Sequence, residues 1–351
     1  MKTERRHDID WLRVIAIFLL LIYHIAIIFQ PWAMLIGFIR SEEPMEDLWK
    51  PMTMLNVWRI PLLFYVSGMG VYFAIQKRNW WQLLKERARR ILLPFFFGII
   101  AITPLHFLIF QINYKLPPAY FPHPGHLWFL GNIFVYVTLL CPLFFYLQKA
   151  REGRLQQAFS SFLSKPLGPL TISVFFMIEV VVLKPQMFEL YAQTWHGFFY
   201  GLLAFLFGFL FVYCGRAFWQ TALKWRWLYM GIAALLFLLR LTLFEMKSPG
   251  FLMAVESHCW ILGVFGLGYK HLNKPSAVLT YLSQAAYPVY ILHMFALYMG
   301  ALIILPMQIP LLLKFIFIIV FTGSVCYFLY EVFIKRIGFL RPLFGLKVSK
   351  R

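Results

Sequence analysis

Residues 11–29 read WLRVIAIFLLLIYHIAIIF, an apolar run long enough to cross a membrane as a helix, which takes about 20 residues. The run carries Arg13 near one end and His24 near the other. Such side chains are costly in hydrocarbon unless they face protein or a watery cavity, so they indicate a functional site. Their spacing is close to three helical turns, which places both on one face, roughly 16 Å apart along the axis. The pair of Arg13 and His24 favours a reaction whose two partners reach the site from opposite sides of the membrane. The structural alternative is that Arg13 reaches the headgroups and His24 hydrogen-bonds a neighbouring helix.

The composition is that of a polytopic membrane protein. The chain has 351 residues, of which 61% are hydrophobic and 13% charged, against about 25% charged in a soluble domain. The mean hydropathy is +0.72. We expect one all-α integral-membrane domain over residues 1–351, and the first run lacks the small-residue cleavage site of a signal peptide. Ten spans are predicted, at 11–29, 53–75, 91–112, 126–147, 167–183, 196–213, 227–244, 250–269, 280–305 and 311–334.

The distribution of positive charge predicts the orientation. Ten spans put both termini on one side, and with that side in the cytoplasm 24 of the 33 Lys and Arg residues lie in inner segments. This bias explains the net charge of +19 without a nucleic-acid partner. It is typical of a multi-pass protein of the inner (cytoplasmic) membrane whose basic loops meet anionic lipid. The stretch Gln76–Arg90, with two tryptophans and four later cations, is expected to form an amphipathic surface helix.

Polar side chains within the spans fall into two sets under this topology. The outer set implies a hydrated cavity open to the outside and the inner set a basic mouth. His293 lies near mid-depth, Glu179 and Arg240 are expected to pair between helices, and His196 is expected to be structural. The outer set is His24, Arg59, His126, Glu179, His196, Arg240, Glu256 and His258; the inner set is Arg13, Arg89, Arg90 and Glu331. The cysteines have no CxxC or CxxH spacing, so we expect neither a metal site nor a disulfide framework.

Two prolines interrupt predicted spans. Pro61 follows Asn56-Val-Trp-Arg59-Ile, and Pro288 precedes Val-Tyr-Ile-Leu-His293. A proline inside a helix removes a backbone hydrogen bond, so both spans are expected to be broken, as is tolerated where a helix lines a cavity. Ser67-Gly68 is expected to allow close approach of a neighbouring helix.

Five stretches in order resemble the acyltransferase-3 family of membrane acyltransferases. The resemblance covers nearly the whole chain. Within the family, the stretches Arg59-Ile-Pro61 and His126-Leu-Trp128-Phe129-Leu are similar to those of a branch that transfers succinyl groups to periplasmic glucans. It implies transfer of an acyl group from cytoplasmic acyl-CoA to an extracytoplasmic hydroxyl. The family's catalytic histidine corresponds to His24, and the arginine associated with acyl-CoA corresponds to Arg13. The stretches are Arg13-X10-His24, Arg59-Ile-Pro-Leu-Leu-Phe-Tyr-Val-Ser67-Gly68, Arg87-Ala-Arg89-Arg90-Ile-Leu-Leu-Pro94, His126-Leu-Trp128-Phe129-Leu and Tyr287-Pro288-Val-Tyr290-Ile-Leu-His293.

The residues themselves suit this chemistry. An imidazole has an unperturbed pKa of about 6.5, so neutral His24 can act as general base on an acceptor hydroxyl. Glu256 is the candidate to orient it. An oxyanion needs a donor, and the sequence does not choose between Arg59, Trp128 and His293. These three residues and His126 are the candidate substrate-binding set. The phosphates of acyl-CoA, the donor substrate, fit the guanidinium groups of Arg13, Arg89 and Arg90, and no metal is required.

Other functions fit parts of the same pattern. A transporter or flippase for a polar or anionic solute also has broken helices and charges at depth. A sensor or scaffold does not need polar groups near both faces. Within the enzyme interpretation, the sequence leaves open acetyl or succinyl as the acyl group, direct transfer or an acyl-histidine intermediate, the glycan or other hydroxyl acceptor, and the oligomeric state, a homo-oligomer included.

Overall fold

A computed structural model describes residues 5–347, and within that range the regular secondary structure is entirely helical. Short 3-10 turns cover Ala33–Ile36, Glu46–Leu48 and Gly125–Leu127, and π-helical turns cover Ala88–Leu92, Gly98–Ile102 and Leu329–Ile334. The α-helices are α1 His7–Ile28, α2 Trp49–Asn56, α3 Arg59–Ile75, α4 Trp80–Arg87, α5 Leu93–Phe97, α6 Thr103–Asn113, α7 Trp128–Lys149, α8 Arg154–Leu163, α9 Gly168–Thr171, α10 Ser173–Leu183, α11 Trp195–Tyr213, α12 Arg216–Thr242, α13 Gly250–His271, α14 Ala277–Ile304, α15 Leu311–Phe328 and α16 Leu340–Leu343.

The long helices confirm a polytopic, all-helical membrane protein. Among the described residues, nine helical segments are long and apolar enough to cross a membrane. A tenth span exists if the pair Arg154–Leu163 and Gly168–Leu183, bent by 102°, is counted as one. This bent pair corresponds to the predicted fifth span. The predicted amphipathic helix is present from Trp80, but it continues into the next span, so that Trp80–Asn113 is one long segment.

The chain forms two compact units. Unit one comprises 5–16, Met54–Leu84 and Val135–Leu279, and unit two comprises Ile17–Thr53, Lys85–Phe134 and 280–347. Helix α1 contributes residues to both, because the boundary falls after Ala16. The prediction of a single domain over residues 1–351 stays a prediction.

In unit one, helices α3 and α11 pack backbone to backbone. A methyl group at Gly68 would collide with the carbonyl oxygen of Phe205, and one at Gly208 would collide with that of Tyr65. Small residues let two apolar helices approach closely, where dispersion contacts are densest. The close approach predicted from Ser67-Gly68 is therefore confirmed.

The second span is broken, as predicted, but the break lies before the proline. Helix α2 ends at Asn56 and α3 begins at Arg59, so Pro61 occupies the first turn of α3, where its missing N–H is not needed. The break leaves the carbonyl oxygen of Val57 outside the helical ladder. It accepts hydrogen bonds from Tyr191 Oη at 2.9 Å and Ser257 Oγ at 2.7 Å. A side chain from the connection between α10 and α11, Tyr191, and one from α13, Ser257, thus satisfy the backbone at the break.

The corresponding prediction for Pro288 is wrong. Helix α14 continues through Pro288 from Ala277 to Ile304. Local adjustments and neighbouring groups allow membrane helices to retain a proline without breaking. As a result, Tyr290 and His293 lie one turn apart on one uninterrupted helix.

Candidate active site

His24, the histidine of the Arg13–His24 pair, is hydrogen-bonded to a second histidine in unit two. Nδ1 of His24 on α1 lies 2.9 Å from Nε2 of His293 on α14. The ring planes differ by only 4° and the centroids are 5.1 Å apart. Stacked rings keep the separation of non-bonded carbons, about 3.5–4.0 Å, so a nitrogen contact of 2.9 Å means that the rings lie side by side. The contact is an in-plane hydrogen bond.

The other nitrogen of His293 is also bonded. Its Nδ1 donates to the carbonyl oxygen of Tyr290, one helical turn earlier, at 2.6 Å. His293 is 1% exposed, whereas His24 is half-buried. The histidine with access to solvent is therefore held by one that is enclosed.

His126, at the start of α7, lies beside this pair. Its ring centroid is 4.9 Å from that of His293, and its Nε2 donates to the carbonyl oxygen of Ile291 at 3.2 Å. The Tyr290 hydroxyl donates to the carbonyl oxygen of His126. Because Tyr290, Ile291 and His293 all lie on helix α14, this helix positions both His126 and the partner of His24.

Six rings close a circuit in unit two. Beyond the pairs His24–His293 and His293–His126, the ring centroids are 5.8 Å apart for His126–His106, 5.1 Å for His106–Tyr298, 5.9 Å for Tyr298–Phe38 and 5.8 Å for Phe38–His24. His106 and Tyr298 are each 2% exposed, so the side of the circuit opposite the His24 pair is closed by packed side chains. In order, the rings are His24, His293, His126, His106, Tyr298 and Phe38. Sequence reasoning took His106 as a structural residue near a span end and missed Tyr298, since nothing in their local pattern distinguishes them from packing residues.

Trp128 begins α7 two residues after His126 and is partly exposed. It belongs to the same unit as the histidine cluster. The substrate-binding roles of His126 and Trp128 stay predictions. Within residues 5–347, no group of three or more His, Cys, Asp and Glu side chains has the geometry of a metal site.

Glu256 lies in unit one and is bonded to an arginine. Its carboxylate accepts a hydrogen bond from Arg240 Nη2 at 2.9 Å, and the side chains are 1% and 0% exposed. A second carboxylate, Glu189, lies 3.5 Å from Arg240 Nη1 and is 18% exposed. Burial raises the pKa of the Glu189 carboxyl above its ordinary value, and Arg240 opposes that rise. The orienting role expected for Glu256 stays a prediction, and Nδ1 of His24 is bonded to His293.

The predicted pairing of Glu179 with Arg240 is wrong. Glu179 instead bonds His196, with Nδ1 at 3.0 Å from a carboxylate oxygen, and His196 Nε2 lies 2.9 Å from the carbonyl oxygen of Phe188. Both side chains are buried. These contacts fit the structural role predicted for His196.

Arg59 also lies in unit one, at the helix break. It is 2% exposed, and its Nη2 donates to Oδ1 of Asn56 at 3.0 Å. The two residues flank Val57 and Trp58, which separate α2 from α3. The predicted substrate contact of Arg59 stays a prediction.

The three arginines expected to hold acyl-CoA are divided between the units. In unit one, Arg13 Nη1 lies 3.4 Å from Asp10, with 36% of the side chain exposed. In unit two, Arg90 Nη1 lies 3.4 Å from Glu86, and Arg89 is exposed. Such distances are long for a charge-assisted bond, so these cations are available to a stronger anionic ligand.

The chain matches one protein family over nearly its whole length. The model of the acyltransferase domain family Acyl_transf_3 matches residues 6–331. The chain is similar to glucans biosynthesis protein C of Salmonella typhi, with 24% identity covering 98% of this chain and 96% of the relative. It is also similar to the Escherichia coli (strain SMS-3-5 / SECEC) protein of that name, with 25% identity covering 99% and 97%. No solved structure matches the chain.

Proposed function

Because the chain belongs to the acyltransferase-3 family of membrane acyltransferases, we propose that it moves an acyl group from acyl-CoA to an acceptor hydroxyl, with His24 as general base. The observation that supports this role is the in-plane bond between His24 and His293, 2.9 Å long. It holds a half-buried imidazole in one orientation, as a general base requires. No other histidine combines this accessibility with the family's Arg-X10-His spacing.

The reaction balances without a further reactant. His24 takes the proton of the acceptor hydroxyl as the oxygen attacks the thioester carbonyl carbon. The tetrahedral intermediate then expels the sulfur of coenzyme A, the carbon–sulfur bond breaks, and the proton on His24 passes to the thiolate. The products are an ester and free coenzyme A. Direct transfer and transfer through an acyl-histidine intermediate are both proposed to take place at His24.

The donor is recognised by its phosphates. Arg13 is proposed to bind one of them, since a guanidinium forms two parallel hydrogen bonds to a phosphate and its present partner Asp10 is 3.4 Å away. Arg89 and Arg90 are proposed as further cationic contacts for the donor. Acetyl-CoA and succinyl-CoA are both compatible with these proposed contacts, because the three arginines are proposed to bind the phosphates and not the acyl group.

The acceptor is proposed to be an extracytoplasmic glycan. The name of the relatives refers to glucans, and the relatives match over almost their whole length. His126 and Trp128, beside the His24 pair in unit two, are the proposed acceptor contacts, since sugars pack on indoles and hydrogen-bond imidazoles. The positive charge of the predicted inner segments supports the inner membrane as its location, with both termini in the cytoplasm.

The test uses purified full-length protein in detergent with radiolabelled acetyl-CoA or succinyl-CoA and a soluble glucan. We expect labelled glucan and free coenzyme A from the wild type. His24→Ala should lower the transfer rate by about 10²–10⁴-fold, the usual contribution of a general base, while acyl-CoA still binds. Binding of acyl-CoA with no transfer and no hydrolysis by the wild type would contradict the enzyme function and favour a transporter.

A further inference from the structure

We infer that His293 is a positioning residue, which fixes His24 as the tautomer that carries its proton on Nδ1 and its basic lone pair on Nε2. The inference rests on the proposed function and names the atom that performs it. Two hydrogen bonds determine the tautomer, one from His293 to the carbonyl oxygen of Tyr290 and one from His24 to His293.

The first step concerns Tyr290 and His293. The carbonyl oxygen of Tyr290 can only accept, and it lies 2.6 Å from Nδ1 of His293. Nδ1 of His293 must therefore carry a proton. A neutral imidazole carries only one, so Nε2 of His293 has a lone pair and accepts.

The second step concerns His24. Its Nδ1 faces the accepting Nε2 of His293 at 2.9 Å, so Nδ1 of His24 must donate. The rings are within 4° of parallel and lie side by side, so the donated proton points along the lone pair of the partner. The neutral His24 ring then has its lone pair on Nε2, and the proton taken from an acceptor hydroxyl goes to that atom.

The arrangement also excludes two other roles for His293. It cannot relay a proton onward, because the outward nitrogen already donates to a carbonyl that accepts no proton at neutral pH. It cannot donate to an oxyanion, because its only N–H is that same bond. Sequence reasoning placed His293 among the candidate substrate and oxyanion contacts, and the inference gives it a positioning role instead. Its function is instead to accept from His24 in both charge states of that ring, as the carboxylate of a catalytic triad does.

The first experiment measures the tautomer directly. Nitrogen-15 chemical shifts of the histidine rings are recorded on the wild-type protein in detergent, and the His24 signals are assigned by their loss in His24→Gln. We expect a protonated Nδ1 and an unprotonated Nε2 at neutral pH. A protonated Nε2 on neutral His24 would overturn the inference, whether or not the protein transfers acyl groups.

The second experiment tests the role by substitution. His293→Ala leaves the buried Nδ1–H of His24 without its acceptor, and we expect kcat to fall by roughly 10- to 100-fold with KM for acyl-CoA unchanged. In His293→Gln, the amide oxygen can accept from His24 while the amide N–H donates, so kcat should stay within several-fold of the wild type. His24→Gln cannot be rescued in this way, since an amide does not take a proton.

The matched control is His258, which is also 1% exposed and holds two hydrogen bonds, to Tyr65 at 2.9 Å and to the carbonyl oxygen of Pro169 at 2.8 Å. His258→Ala should lower thermal stability and leave the His24 shifts unchanged. Equal kcat in His293→Ala and the wild type would overturn the inference, as would His293→Gln being as slow as His293→Ala. A wild type with the expected tautomer but no acyl transfer would instead contradict the proposed function and leave the hydrogen-bond assignment standing.

Discussion

Arg240→Met separates a structural role of Glu256 from a catalytic one. In the wild type the Glu256 carboxylate, 1% exposed, is 2.9 Å from a guanidinium that is fully buried. Methionine has a similar length but no charge, so the variant leaves a carboxylate buried without its cation. Removing one partner of a buried ion pair typically costs about 3–5 kcal/mol. Glu189, the other neighbour of Arg240, is 18% exposed and can turn to water, so most of this cost falls on Glu256.

The double variant Arg240→Met/Glu256→Met removes both charges and restores packing. Replacing a buried pair with apolar residues of similar volume is often neutral or stabilising, so we expect most of the lost stability to return. Thermal unfolding in one detergent, followed by tryptophan fluorescence, compares the wild type with the single and double variants. Transfer activity is measured on the same samples. We expect the double variant to transfer at nearly the wild-type rate, because the Nδ1–H of His24 donates to His293, which this variant leaves in place.

Two outcomes would refute this assignment. A double variant as stable as the wild type but inactive would favour the catalytic role that was expected for Glu256 from its predicted depth in the membrane. An Arg240→Met variant that unfolds no more readily than the wild type would show that the ion pair carries no stability. The two readouts are independent, since stability and transfer are measured separately.

Further predictions concern the donor, the orientation and the packing. Arg13→Ala should weaken acyl-CoA binding by about 1.5–3 kcal/mol, or roughly 10- to 150-fold, in calorimetry at low salt; unchanged affinity would leave Arg13 as a topology determinant. In intact cells, a cysteine at position 43 (Glu43→Cys) should react with an impermeant maleimide and one at position 161 (Ser161→Cys) should not, and labelling of the latter would reverse the topology. Gly68→Ala should cost about 1–3 kcal/mol of stability, because its methyl group meets the α11 backbone, whereas the control Gly231→Ala, with nothing within 4 Å, should not destabilise.

The sequence predicts the spans well because each one satisfies a local requirement. A run of about 20 apolar residues suffices to identify a membrane span, because the thickness of the hydrocarbon core, and not the neighbouring helices, sets that length. Helix breaks are harder to locate. Pro61 marks a break but sits inside the following helix, and Pro288 marks none, because neighbouring segments decide whether a freed carbonyl is satisfied.

Partners across the chain are not readable from local pattern. His24 and His293 are 269 residues apart, and only packing within unit two brings their nitrogens to 2.9 Å. Depth along the membrane put Glu179 with Arg240, but depth does not specify which face of each helix a side chain occupies. Glu189 was missed altogether, because it lies in a loop where a carboxylate is ordinarily solvated. The spacing of Arg13 and His24 was useful because both lie on one continuous helix, α1.

The most direct test of the central claim is the rate of acyl transfer by His24→Gln, compared with His24→Ala and the wild type at matched expression and with acyl-CoA binding measured in parallel. Glutamine preserves a hydrogen-bonding side chain but cannot accept a proton at neutral pH. If His24 is the general base, His24→Gln should be as slow as His24→Ala, at least about 10²-fold below the wild type, while both variants still bind acyl-CoA. Near-normal transfer by His24→Gln would contradict the assignment and show that His24 only joins two helices.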